Sequence, residues 1–119
     1  MHELSIAANM TLEEMMNDPD HVINAIDPEY RIIFWNKKSE ELWQLCKNEV
    51  LGKRLEEVMP FVRGDERMQN LKRALQGKAV HILKEKYRYR KKGYYEQKLL
   101  PVKNADGDVI AVLNIVRDL

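Results

Sequence analysis

Cysteine is nearly missing from this chain: Cys46 is the only one in 119 residues, which excludes an intrachain disulfide and fits a reducing compartment. Histidine is scarce too. His2, His21 and His81 are scattered at spacings that match no zinc site, and no serine or cysteine stands in a recognisable nucleophile motif. Net charge is almost absent, because 20 basic residues offset 19 acidic ones to leave +1, so no global field draws the molecule to nucleic acid or to an anionic membrane. The opening MHELSIAANMTLEEMM has neither the basic start of a signal peptide nor the apolar length of a membrane span. The expectation is a soluble, cytoplasmic chain. Carboxylates occur at ordinary surface density and no pair stands out for acid/base work, so the chain is not expected to be an enzyme. Its length suits one domain with a single hydrophobic core.

What is present is a clear succession of local signals. Thr11 and Glu14 form a capping box ahead of Leu12, Met15 and Met16, which share one helical face until Asp18 and Pro19 stop the run. This predicts a short amphipathic helix within a leading segment, residues 1–20, before a main domain at 21–119. A turn at Asp27, Pro28 and Glu29 feeds the β-branched and aromatic run Arg31 to Trp35, which ends at Asn36. Asn36 can cap a helix carrying Leu42, Trp43 and Leu45, followed by short turns of helix near Asn48 to Leu51 and over Leu55 to Met59, the latter ended by Pro60. Asp65 opens the longest helix, with Met68, Leu71 and Leu75 on one face and Gly77 as its stop. From Val80 the period becomes that of strands: Val80 to Arg90, a tip at Lys91, Lys92 and Gly93, then Tyr94 to Val102. Asp106 and Gly107 turn into a final strand. That strand is apolar on both phases, so it belongs in the middle of a sheet with something packed on each side.

These separated motifs together resemble the PAS domain family. Asp27, Arg31, Ile32, Phe34 and Asn36 match its opening strand, and Leu51, Gly52 and Lys53 the motif after its second helix. Gly77 and Lys78 match the end of its long helix, and Pro101, Val102, Asp106, Gly107, Val109, Ala111, Asp118 and Leu119 its closing hairpin. The resemblance covers about His21 to Leu119, with Tyr30 where the family usually has glycine. It implies an α+β fold, a five-stranded antiparallel sheet with helices packed on one face, preceded here by the short N-terminal helix. It also implies a sensory, signal-transducing role, in which a small molecule or partner is bound and the change is relayed to a histidine kinase, a cyclic-nucleotide enzyme or a transcription regulator. Arg117 and Asp118 would form the signal exit.

The cofactors of the family find little here. The position of the flavin-adduct cysteine is Leu55, and Cys46, read as a half-buried packing residue, lies elsewhere. Haem-binding relatives use a histidine on the long helix, which has none between Glu66 and Gln76. Neither a covalent flavin adduct nor histidine-ligated haem is expected, and the cofactor is left open. The candidate ligand pocket lies between the long helix and the sheet, lined by Phe61, Met68, Leu71, Leu75, Ile82, Leu99 and Leu113, with Asn114 as a polar group able to orient a ligand. A ligand-free alternative is a dimerisation module that packs through Leu12, Met15 and Met16 onto a second copy. The stretch KEKYRYRKKGYY, with Arg88, Arg90, Lys91 and Lys92, interleaves basic and aromatic residues as a nucleic-acid surface would. Basic residues on the wet face of a hairpin are the simpler reading.

Overall fold

In this computed structural model, which describes residues 11–59, 66–87 and 92–119, the Asp27 side chain builds the first turn by accepting from the backbone N–H of Glu29 and Arg31, each at 2.9 Å. The turn joins β1 (His21–Ile26) to β2 (Ile32–Trp35). It closes at Tyr30, whose φ of +66° lies in the left-handed region, and this is why glycine suits that position. Packing of the half-buried ring against the inner core offsets the strain.

Asn36 caps α2 (Lys37–Trp43) by accepting from the Ser39 N–H at 2.9 Å. The helix ends at Gln44, which is also left-handed at φ 57° and donates to the Glu41 carbonyl. Glycine takes that conformation without steric cost, so Gln44→Gly is expected to stabilise the fold by about 0.5–1 kcal/mol despite losing one exposed hydrogen bond. A shift of the urea midpoint at constant slope would register it.

Further along the described residues come α3 (Lys47–Val50), α4 (Leu55–Val58) and α5 (Glu66–Leu75). Gly77, at φ +95°, stops α5 as expected. The strands β3 (Val80–Lys86), β4 (Tyr94–Lys103) and β5 (Val109–Asp118) complete one antiparallel sheet in the order β2-β1-β5-β4-β3. The last strand is central beside the first, as its two apolar phases require. Pro60, Phe61 and Asp65, and Arg88, Arg90 and Lys91 of the basic hairpin, lie outside the described residues.

Side chains alternate across β5 and separate two cores. Val112 joins Ile26, Trp35, Val50, Leu55, Leu71 and Leu99 on the inner face, under α2 to α5. Ala111, Leu113 and Ile115 join Ile23, Ala25 and Val102 on the outer face. There α1 (Leu12–Asn17), started by the expected Thr11–Glu14 capping box, seats Met15 with no exposed surface. Among the described residues no helix is long and apolar enough to cross a membrane.

Candidate functional site

A cavity of about 120 Å³ lies between α5 and the inner sheet face. Aliphatic walls come from Val22 and Ile26 of β1, Leu42 of α2, Leu55 of α4, Leu71 of α5, Leu99 of β4, and Val112 and Val116 of β5. A larger groove of about 580 Å³ adjoins it and shares Val22, Leu42, Tyr87 and Val116. Lys38, Glu41, Asp20 and Asp118 also line that groove, and a wall carrying both signs of charge keeps water. The smaller, mainly apolar cavity is the better place to desolvate a ligand.

Of the residues expected to line the pocket, Leu71, Leu99 and Asn114 stand on the cavity wall. Met68 and Leu75 instead pack, half-buried, against the inner core. Ile82 pairs with Gln97 across the β3–β4 ladder and is not on the wall. Leu113 is a correction: it is 2% exposed but belongs to the outer core, because its neighbour Asn114 takes the inner side and successive strand residues point to opposite faces. Phe61 lies outside the described residues. Cys46 is also corrected. It is exposed at the start of α3, and desolvation together with the carboxylates of Glu49 and Glu40 pushes its thiol above the ordinary value, which disfavours the reactive thiolate.

Most of the cavity's polar groups, among them Asn24, Gln97, Asn70 and Arg67, lie outside the expected site residues. Gln97 Nε2 donates to Asn114 Oδ1 at 2.7 Å, Asn114 Nδ2 donates to Asn24 Oδ1 at 3.1 Å, and Asn24 Nδ2 reaches Ser39 Oγ at 3.5 Å. Asn24 was legible in principle as the single amide in the apolar run HVINAI, on the same face as Val22 and Ile26. Asn70 and Arg67 face the cavity from α5, with Asn70 Oδ1 accepting from Arg73 at 3.0 Å.

At one end of the cavity Tyr87 and Tyr95 lie with ring centroids 4.8 Å apart. Burial raises the Tyr87 phenol to about pKa 12, helped by the Asp118 charge and by the hydrogen bond the phenol donates to that carboxylate. Asp118 pairs with Tyr95 at the end of β5, so the expected exit residue touches the cavity's tyrosine wall.

Arg117 points to the other side of the sheet. Its guanidinium donates to Glu96 Oε1 at 2.8 and 3.0 Å, while His81 Nε2 lies 2.6 Å from Glu96 Oε2. Hydrogen bonds from His81 and then Arg117 lower the Glu96 carboxyl from 4.5 to about 2. A folded-state pKa below the unfolded one stabilises the fold above the unfolded value, and that contribution disappears as pH falls through the folded value. Glu96→Gln is therefore expected to narrow its stability gap from the parent as pH falls from about 4.5 towards 2, as denaturant titrations at several pH values would measure. A gap independent of pH would count against the ion-pair account.

Among the described residues no group of three or more His, Cys, Asp or Glu side chains could hold a metal ion. The sheet order, the helices over one face and the cavity beneath α5 define a PAS-type module. The family model for the PAS fold matches residues 12–119, and the chain belongs to that family. The PAS domain of histidine kinase ThkA is 27% identical, with a TM-score of 0.69 over 83% of this chain and 99% of that one. A sensory box sensor histidine kinase from Vibrio cholerae has a TM-score of 0.73 at 18% identity, over 91% of this chain and 89% of that one. The structure of ThkA in complex with the response regulator protein TrrA matches at 24% identity and a TM-score of 0.68, over 89% of this chain and 30% of that one. No curated protein matches the chain. Family and relatives make it a signal-transduction module.

Proposed function

We propose that the chain is a non-catalytic sensory input domain, of the kind found in histidine kinases, in which a small molecule enters the cavity beneath α5 and the change is passed to the end of β5. The observation that carries this reading is the double role of Tyr87, which lines the cavity and donates to Asp118. A ligand that moves the Tyr87 ring has to strain or break that hydrogen bond, and so alters the hold on the last residues of the central strand. Dimerisation through α1 has less support, because Leu12 and Met15 are already packed against this chain's own sheet.

Enlarging Leu71 to phenylalanine intrudes into the cavity from α5 and stands in for a ligand. The amide resonances of Arg117, Asp118 and Leu119 are expected to shift in Leu71→Phe, and the shift should fall by at least about half when Tyr87→Phe removes the phenolic donor. Exit-strand resonances that ignore Leu71→Phe would defeat the relay.

A further inference from the structure

The amide ladder on the cavity floor indicates the kind of molecule the cavity takes. Asn24, Asn114 and Gln97 sit on β1, β5 and β4, three adjacent strands, and their donors all point one way, from Gln97 to Asn114 to Asn24 and on to Ser39. Burying amides among valine, leucine and isoleucine costs free energy unless their hydrogen bonds are made. A primary amide has two N–H donors and an oxygen with two lone pairs. The ladder engages one N–H of each of these three amides, which leaves donors and acceptors together along one strip of the wall.

Charge narrows the choice further. No carboxylate is among the described residues of the wall, so a cation finds no counter-ion there. The one charged side chain on the wall, Arg67, already takes part in another interaction. An anion, which can only accept, would also meet the amide oxygens with like partial charge. A neutral group carrying a donor beside an acceptor, such as a lactam or a planar amide, can form paired hydrogen bonds with an amide strip. Size sets the remaining limit. A cavity of about 150 Å³ accommodates benzene, so 120 Å³ suits a flat molecule of comparable size.

Resting on the sensory reading above, we infer that the cavity binds a small, planar, uncharged molecule of the lactam or amide class, recognised through Asn24, Asn114 and Gln97. The aliphatic side chains opposite accept its apolar edge.

The test uses the whole chain and three probes of similar size: 2-pyridone, which is neutral with donor beside acceptor; fluorobenzene, which has the shape without the pair; and 2-furoate, which is anionic. Binding is followed by the side-chain amide resonances of Asn24, Asn114 and Gln97 and the methyl resonances of Leu71 and Val112. 2-Pyridone is expected to bind at least about tenfold more tightly than either other probe, and Asn114→Leu or Gln97→Met should each remove that preference. Using both variants guards against one of them failing to fold. Equal or tighter binding of fluorobenzene or 2-furoate would overturn the ligand class while leaving the sensory cavity standing. If none of the three binds, the class is wrong. Xenon then separates the two readings: methyl shifts with xenon keep an accessible cavity, and their absence removes the sensory reading as well.

Discussion

Asn36→Ala is expected to destabilise the fold by about 3 kcal/mol, the larger part from buried backbone groups left without partners and about 1 kcal/mol from the lost helix cap. The Asn36 side chain is fully buried. Its oxygen accepts from the backbone N–H of Ile23 at 3.0 Å and from the Ser39 N–H and hydroxyl at 2.9 Å, while its nitrogen donates to the carbonyls of Met15 and His21 at 2.9 Å. One amide thus ties the end of α1, the first strand and the start of α2 together. Asn36→Asp is the informative companion, since it keeps the acceptor but turns a carboxylate oxygen towards two carbonyls. It too should be strongly destabilising at neutral pH, and partly relieved on acidification as the carboxyl protonates. Equilibrium urea unfolding of both variants checks this, and a loss below about 1 kcal/mol in Asn36→Ala would mean the cap alone matters.

The second large effect is expected at Met15. Truncation to alanine removes a side chain with no exposed surface from the cluster of Ile23, Ala25, Val102, Ala111, Leu113 and Ile115, and should cost about 2–4 kcal/mol. Leu12, half-buried at the rim of the same cluster, should cost less. If α1 served chiefly to join two copies, Met15→Ala would change the sedimentation behaviour while leaving the urea midpoint of the monomer nearly unmoved. A lowered midpoint at every protein concentration is the result expected from intramolecular burial.

Most of the element order was legible before any coordinates, because capping and turn chemistry are local. Thr11 with Glu14, Asn36, Gly77, and Asp106 with Gly107 each act within a few residues, and each forms the expected cap or turn. The central place of β5 followed from apolar residues on both phases. The same property hid the site. A strand with one polar face announces which side is buried, whereas β5 offers no such contrast, so nothing in its sequence says which of Leu113 and Asn114, on opposite faces as adjacent strand residues, meets the pocket.

From sequence alone follow the PAS-type sheet, the start of α1 at its Thr11–Glu14 capping box, the stop of α5 at Gly77, and the role of Asn36 in closing the second strand and opening a helix. All of these depend on backbone preferences and hydrogen bonds between near neighbours in the chain. Tertiary structure alone decided that the Asn36 amide reaches back to Met15, that Asn24, Asn114 and Gln97 line up across three strands, and that Tyr87 meets both the cavity and Asp118. Those contacts join residues up to 90 positions apart, and they arise from strand register and from which face α5 covers, neither of which local periodicity records.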